Sequence, residues 1–420
     1  MLNLPEIPLW GDDIPWLSGL REKGRALFER IGMPNSKTEG WQKTILPADL
    51  PNIKTDNTEH RCDGNCHQRE DLPFDAYQIN FCNGKLVSEH FDFQQGLLVK
   101  PLVEAIFDGD AKAYLNKSFE MENFPFAALN TAFIEQGLFI LVERGTKIEK
   151  PLYIHYHNHS ENSHSSHIRN LIVLERQAEL EICEYFDGEP KDYVFNNLVN
   201  EIFIGTEAVL KHYKHQKEAF LTYHISLNSV QIKSQGSYVA FCAQNQCLTS
   251  RHESFVKLLQ EGASAEINGC YRLDANSNLM QLTKSGICDT TTNIRHLASH
   301  TYSNQLVKGV AQSAGTAVFQ GQIHIAPDAQ QCEGYQLHRA LLLTDEAEIY
   351  CKPELEIFAD DVKCSHGAAS GDLDQQQLFY MQSRGIELEQ AQKLLIEAYL
   401  DEVFAKIKNP QIAEWLKQNF

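Results

Sequence analysis

The sequence predicts a mainly β protein whose core is a parallel β-solenoid with helical regions at both ends. Two observations support this fold class. Short runs rich in β-branched and aromatic residues, such as LFILVE, NLIVLE and AVFQGQIHI, alternate with turns of small and polar residues between Gly137 and Asp361. Such runs are typical of strands. Helical periodicity, in contrast, is confined to the regions before and after this segment.

The turns between the strand-like runs recur at a nearly constant spacing. Successive turns are 28–32 residues apart, except for one gap of 51 residues that we interpret as two shorter coils. The turns lie near Thr146, Ala178, Ala208, Ser237, Ala265, Thr316 and Ala347. A repeat of this length without intervening helices favours a solenoid over a βαβ fold. A two-sheet β-sandwich is the alternative that the pattern leaves open.

The region that precedes the repeats has a mostly helical pattern. Leu20, Ala26, Leu27 and Ile31 recur at helical spacing, and a helix is expected to end at Gly32. A polar, turn-rich stretch follows, and a second helical pattern begins after Lys100. We therefore expect a helical unit before the solenoid.

The region that follows the repeats is helical again, from Gly371 to the end. Asp374 is a good N-cap for QQQLFYMQSR, and Gly385 is expected to end that helix. The next segment, LEQAQKLLIEAYLDEVFAKI, carries an apolar stripe with Glu and Lys opposite. Such a stripe packs on its own domain or binds a partner protein.

Composition excludes several classes of function. The chain has 37 Lys and Arg against 56 Asp and Glu, a net charge of −19, so nucleic acid and membrane surfaces are disfavoured as partners. No apolar run approaches the ~18 residues of a membrane span, and the first residues lack the pattern of a secretory signal. The 11 cysteines are odd in number and dispersed, which is typical of a reducing compartment. We expect a cytoplasmic protein.

Two sequence clusters contain residues that bind metals. His60, Cys62, Cys66 and His67 surround an Asp-Gly turn and nominally match the four ligands that a structural zinc site needs. Their spacing is not that of a standard zinc knuckle, so we interpret the segment as a solvated loop.

The second cluster is a row of histidines. His155, His157 and His159 alternate along a strand-like run, so their side chains face the same way, and His164 and His167 follow. The sequence shows no carboxylate second shell that would orient these rings. We therefore interpret the row as a solvated face.

Cys364 and His366 are the strongest candidates for chemistry. One residue separates them, so an extended backbone points both side chains to the same side. Thiolate and imidazole together suit iron, zinc or copper, and Asp360 and Asp361 lie just upstream. Two ligands cannot complete a metal site, so a small buried cysteine at a strand end is the alternative. The P-loop pattern GxxxxGK[ST] is absent, so nucleotide hydrolysis by this chain alone is not expected.

The segment that contains this pair resembles a known family. ADDVKCSHGAASGDLDQQQLFYMQSRGI resembles the C-terminal signature of SufD proteins, components of the SUF system of iron–sulfur cluster assembly. Further segments of the chain also resemble that family: Gly32-Met33-Pro34 with Trp41 and Lys43, PFAALNTAF, KIEKPLYI, LVKGV at 306–310 and FQGQIHI at 319–325.

The resemblance implies a fold, a function and partners. The fold is a right-handed parallel β-helix at 136–365, flanked by helical domains at 1–135 and 366–420. The function is that of a non-catalytic scaffold in a SufB–SufC2–SufD complex, in which the SufC ATPase supplies the nucleotide chemistry. A cysteine desulfurase would deliver sulfur indirectly, mainly through SufB.

The resemblance also implies where the sites lie. The nascent cluster would form at the SufB–SufD interface with His366, and Cys364 is the adjacent candidate. SufC would dock on the C-terminal helices at Leu378, Phe379, Tyr380, Arg384, Gly385 and Ile386. No cofactor is expected on the chain alone, and a transient iron–sulfur cluster is expected on the complex. Flavin on the complex and a homodimer in isolation are left open. The two His/Cys clusters have no role in the family pattern.

Two other functions compete with the scaffold. A β-helix enzyme acting on polysaccharide would carry a secretion signal and paired carboxylates, and neither is evident. A metal-binding or storage protein would use the two His/Cys clusters, and metal analysis of the isolated chain separates it from a scaffold.

Overall fold

Stacked parallel strands form the core of the molecule. The computed structural model describes residues 4–50, 70–88, 92–159, 161–245, 247–273 and 286–420. Within these residues, strands from successive coils pair in parallel along two sheets. This arrangement confirms the predicted β-solenoid and excludes the β-sandwich, in which neighbouring strands are mostly antiparallel.

The described residues contain nineteen strands. Their bounds are β1 Tyr77–Cys82, β2 Lys85–Leu86, β3 Leu97–Pro101, β4 Leu138–Val142, β5 Leu152–Asn158, β6 His164–Leu174, β7 Glu179–Gly188, β8 Val194–Ile204, β9 Val209–Gln216, β10 Thr222–Ile232, β11 Ser237–Asn245, β12 Thr249–Leu258, β13 Ser264–Leu273, β14 Ile287–His296, β15 Tyr302–Ala311, β16 Thr316–Ile325, β17 Cys332–Leu342, β18 Glu348–Ile357 and β19 Val362–Gly371.

Each coil of the solenoid contributes one strand to each sheet. The first sheet contains β2, β1 and the odd-numbered strands from β5 to β19, and the second contains β3 and the even-numbered strands from β4 to β18. The side chains between the two sheets are mostly Ile, Leu and Val, as at Ile154, Ile182 and Ile202. A polar ladder also runs inside, because Asn170 Nδ2 donates to Asn200 Oδ1 and Asn200 Nδ2 donates to Asn228 Oδ1, each at 2.9 Å.

Helices cover the outer faces of both sheets. Their bounds are α1 Pro15–Ile31, α2 Leu102–Phe107, α3 Pro125–Ala132, α4 Gln375–Ser383, α5 Leu388–Phe404 and α6 Pro410–Asn419. The N-terminal helices pack on the second sheet, where Phe126 contacts Phe195. The C-terminal helices pack on the first sheet, where Phe404 contacts Phe241 and Trp415 contacts Tyr153. Where helices cover the outer face, strands such as β6 and β8 are buried on both sides, whereas β18 and β19 are half-buried or exposed throughout.

The predicted helix ends are confirmed. Asp374 accepts hydrogen bonds from the backbone N–H groups of Gln376 and Gln377 and so caps α4. Gly32 and Gly385 follow α1 and α4 with φ of 75° and 88°, a conformation that favours glycine because it has no Cβ.

Three details differ from the sequence interpretation. The region 1–135 contains three strands, of which β1 extends the first sheet by pairing in parallel with β5. The 51-residue gap is not two short coils, because Ala265 begins a strand of the first sheet and Thr316 begins one of the second. The predicted boundary at residue 365 falls inside β19.

Candidate functional site

The last coil leaves one end of the solenoid open. Among the described strands, β18 pairs only with β16 and β19 pairs only with β17. Each therefore presents one edge of backbone N–H and C=O groups without a neighbouring strand. Cys364 and His366 both lie on β19, so the two predicted site residues stand at this open end.

The alternation of side chains along β19 points both residues toward the solenoid interior. Cys364 packs at the edge of an apolar cluster that includes Ile323 and Ile325. His366 is paired in register with Gln336 of β17, which is buried between the sheets. His366 occupies the equivalent position in the last coil, which no further described strand covers, and its side chain is exposed. The structure therefore confirms the geometric expectation that both side chains share a face.

The two candidate ligands differ in their surroundings. Cys364 is half-buried, and burial raises the pKa of its thiol, although a backbone hydrogen bond with Gly334 acts in the opposite direction. A neutral thiol of this kind becomes a ligand when a metal ion displaces its proton. The amide nitrogen and oxygen of the neighbouring Gln336 side chain are buried without a hydrogen-bond partner. A donor and an acceptor beside His366 are therefore free to form hydrogen bonds. Asp360 and Asp361 lie in the turn before β19, and no contact among the described residues joins either carboxylate to His366.

The predicted docking residues lie on α4 and the turn that follows it. Leu378 is buried, whereas Phe379 and Tyr380 are 74% and 58% exposed. Arg384 donates to the Tyr380 hydroxyl at 3.1 Å and lies over its ring. Gly385 is exposed and Ile386 is half-buried. On α5, Leu388 and Leu394 add further exposed apolar side chains.

These exposed residues form what we call the C-terminal patch, defined by Phe379, Tyr380, Leu388 and Leu394. Helices α4 and α5, which carry these side chains, pack against each other, and exposed apolar side chains gathered on one surface are typical of sites that bind other proteins. The stripe on α5 is thus divided: Val403 and Phe404 pack on the first sheet, while Leu388 and Leu394 face solvent.

The histidine row is not a solvated face, and that interpretation was wrong. His155 is only 9% exposed, and His164 and His167 are buried. Burial lowers the pKa of His155, but hydrogen bonds with Asp187 and Glu70 outweigh it and raise the pKa to about 9. Sequence reasoning missed both carboxylates because neither is near in sequence. Asp187 lies one coil beyond His157 and in register with it. Adding one repeat length to His157 would therefore have located this carboxylate from the sequence.

The other predicted cluster is not tested. His60, Cys62, Cys66 and His67 lie outside the described residues. None of the helices in the described part of the chain combines the length and the apolar character that a membrane span requires.

Comparison with known proteins identifies the family. Residues 155–399 match the model for the SufBD core domain of SUF-system FeS cluster assembly, and residues 11–154 match the SufBD N-terminal region. The chain belongs to the SufBD family. The SufBD core match covers the coils from β5 onward together with the C-terminal patch, and so includes both candidate sites.

Individual SufBD relatives extend this result. The chain is 28% identical to the iron–sulfur cluster assembly protein SufD of Escherichia coli over 392 residues, which cover 93% of this chain and 88% of that protein. It is 34% identical to the chloroplastic protein ABCI7 of Arabidopsis thaliana over 297 residues, 69% of this chain and 61% of that protein. This chain is therefore a SufBD-family protein of iron–sulfur cluster assembly.

Proposed function

We propose that this chain is the SufD-type scaffold subunit of a SufB–SufC2–SufD complex, without catalysis of its own. The observation that carries the proposal is the open end of the solenoid, where Cys364 and His366 stand on the last strand. A site shared by two chains needs only one or two ligands from each, so an incomplete pair suits an interface. The iron–sulfur cluster is the cargo assembled there.

The unpaired edges of β18 and β19 support a SufB-type partner at this end. An exposed sheet edge accepts strands from another chain through backbone hydrogen bonds. A partner built on the same solenoid would cover His366 and supply the remaining ligands. Pairing of two copies of this chain through the same end is the alternative when SufB is absent.

The C-terminal patch supports docking of a SufC-type ATPase. The sequence has no P-loop of its own, so nucleotide hydrolysis in the complex belongs to another subunit. Phe379 and Tyr380 are large, exposed aromatic side chains, and aromatic residues dominate the binding energy of protein interfaces.

We also place the chain in a reducing compartment such as the cytoplasm. All nine described cysteines are free thiols, as expected where disulfides do not persist. A desulfurase that delivers sulfur through SufB and a flavin on the complex stay predictions.

Co-expression with SufB and SufC tests the scaffold. A tagged chain should co-purify with both partners, and failure to do so would sink the proposal. His366→Ala should still assemble but should lower the iron and sulfide content of the reconstituted complex. His324→Ala is the matched control, because His324 lies on β16 and contacts Glu356 at 3.2 Å on the outer surface. Equal iron and sulfide contents in the His366→Ala and His324→Ala complexes would show that His366 does not contribute to the cluster site.

A further inference from the structure

We propose that His155, His157 and Asp187 bind one divalent first-row transition-metal ion on the outer face of the first sheet. The site is separate from the open end and goes beyond the scaffold function. Its three donor groups come from adjacent strands, β5 and β7, and their ligand atoms lie within 4.8 Å of one another. A metal site therefore needs no long-range rearrangement of the fold.

The geometry brings three ligand atoms toward one point. Asp187 Oδ1 lies 2.7 Å from His155 Nε2 and 2.6 Å from His157 Nδ1. Around a tetrahedral zinc ion with bonds of about 2.0–2.1 Å, ligand atoms are about 3.3 Å apart. Binding of the ion would therefore move these atoms apart by about 0.6–0.7 Å, which small side-chain rotations supply. The half-buried positions of His157 and Asp187 leave room for that movement.

A second carboxylate already orients one of the rings. Glu70 Oε1 lies 3.0 Å from His155 Nδ1, the nitrogen that faces away from Asp187. The Tyr153 hydroxyl donates to the other oxygen of Glu70 at 2.6 Å and fixes that carboxylate. Metal-binding histidines commonly donate their second ring N–H to a carboxylate, which sets the tautomer and makes the ring a better ligand. His155 also stacks on Tyr185, with centroids 5.4 Å apart, so its ring is held before an ion arrives.

The three donor groups indicate which metal ions the site would prefer, and a neighbouring cleft leaves one coordination position accessible. Two imidazoles and one carboxylate suit Zn²⁺, Fe²⁺ or Co²⁺, whereas Mg²⁺ and Ca²⁺ prefer oxygen ligands alone. Glu70 and Asp187 line a cleft that also contains Trp415 and Gln418. The fourth coordination position would face this cleft and hold water or an incoming ligand, as in open zinc sites.

The competing account is an ion-pair cluster without metal, in which a protonated His155 bridges Glu70 and Asp187. The two accounts differ in what the purified protein binds. Full-length chain treated with a chelator and dialysed is titrated with ZnCl₂ by calorimetry, and bound zinc is counted by mass spectrometry. We expect one ion at this site. Asp187→Asn should abolish its binding, and Glu70→Gln should weaken it about 10–100-fold, as for other groups that orient ligands.

Two controls keep the result specific. Glu356→Gln removes a carboxylate from the His324–Glu356 pair elsewhere on the surface and should leave zinc binding unchanged. The double variant Cys62→Ser/Cys66→Ser tests the other sequence cluster and should keep the ion at His155. His157→Gln, at a half-buried position, serves if Asp187→Asn does not fold. Wild-type protein without bound zinc, or Asp187→Asn and His157→Gln with unchanged binding, would overturn the proposal.

Discussion

Arg169 Nη1 donates to Glu201 Oε1 at 2.9 Å, and both side chains are completely buried. The pair lies on the outer face of the second sheet, beneath α3. Arg169 also donates to Asn130 Oδ1 and Thr131 Oγ1 of that helix. Glu201 accepts the backbone N–H groups of residues 116–118. One ion pair therefore fastens two N-terminal segments to the solenoid.

Glu201→Gln should destabilise the protein strongly. The substitution leaves the Arg169 guanidinium buried without its compensating charge, and breaking such a pair typically costs about 3–5 kcal/mol. The free energy of unfolding, measured by urea denaturation, checks the value.

The control for this substitution is an ion pair in solvent. Lys191 Nζ lies 2.6 Å from Glu161, and both side chains are 68% exposed. Glu161→Gln should leave the unfolding midpoint close to that of the wild type, since water already solvates both charges. Equal effects of the two substitutions would show that burial does not set the strength of the Arg169–Glu201 pair.

Phe379→Glu should weaken binding of a SufC-type ATPase without weakening the fold. Its ring is 74% exposed, so the folded chain loses little when it is replaced. At an interface, loss of a central aromatic side chain costs roughly 2 kcal/mol or more, which is about 30-fold in affinity. Binding of purified SufC measured by calorimetry, with the thermal unfolding temperature measured in parallel, checks both parts.

Phe107→Glu is the matched control for the C-terminal patch. Phe107 ends α2 and is 78% exposed, so it offers the same change of side chain at a site outside the patch. SufC affinity should not change. A loss as large as that of Phe379→Glu would indicate a general effect of the added charge.

Local sequence patterns predicted the solenoid and its helical ends because the features that determine them span only a few residues or a single coil. The N-cap at Asp374 acts over three residues, and the period of the turns reflects one coil at a time. The N-terminal strands were missed because β1 is stabilised by pairing with β5, about 75 residues later in the chain. The sequence KCSHGAASG has weak strand propensity, yet β19 extends to Gly371 because every residue from Val362 pairs with β17.

The candidate site was predictable to the extent that it is local. Cys364 and His366 are two residues apart, so strand geometry alone places them on one face. The surroundings of His155 were not predictable in the same way, because Glu70 and Asp187 approach it only when the coils stack. Stacking of the coils therefore places the expected solvated row in a partly buried cluster with two carboxylates.

Gly309→Ala should destabilise the core of the later coils. A Cβ at Gly309 would lie 1.8 Å from the ring of Tyr271, which is buried and cannot move freely. Overpacking of this kind typically costs about 1–3 kcal/mol. Gly371→Ala is the control, because no atom lies within 4 Å of its added Cβ. Urea unfolding of both variants checks the prediction, and equal midpoints would contradict the close approach of Gly309 to Tyr271.

The contribution of His338 and His296 to stability should be lost as the pH falls from about 6.5 to about 4, the interval between the pKa of an unfolded histidine and the pKa of these two residues in the folded chain. His338 is stacked on Phe319, with centroids 4.8 Å apart, and lies 3.1 Å from the Tyr271 hydroxyl. Burial lowers its pKa to about 4, and burial likewise lowers the pKa of His296 to about 4. In this interval the unfolded chain binds protons that the folded chain excludes, so protonation favours unfolding.

His338→Phe tests this contribution, because phenylalanine keeps the ring stack and removes the titrating group. The thermal unfolding temperature of the wild type should fall between pH 7 and pH 5, and the fall should be smaller in His338→Phe. His366→Phe, at an exposed position, is the control for removing an imidazole. An equal fall in the wild type and His338→Phe would mean that the folded chain accommodates the proton on His338, contrary to its burial between Phe319 and Tyr271.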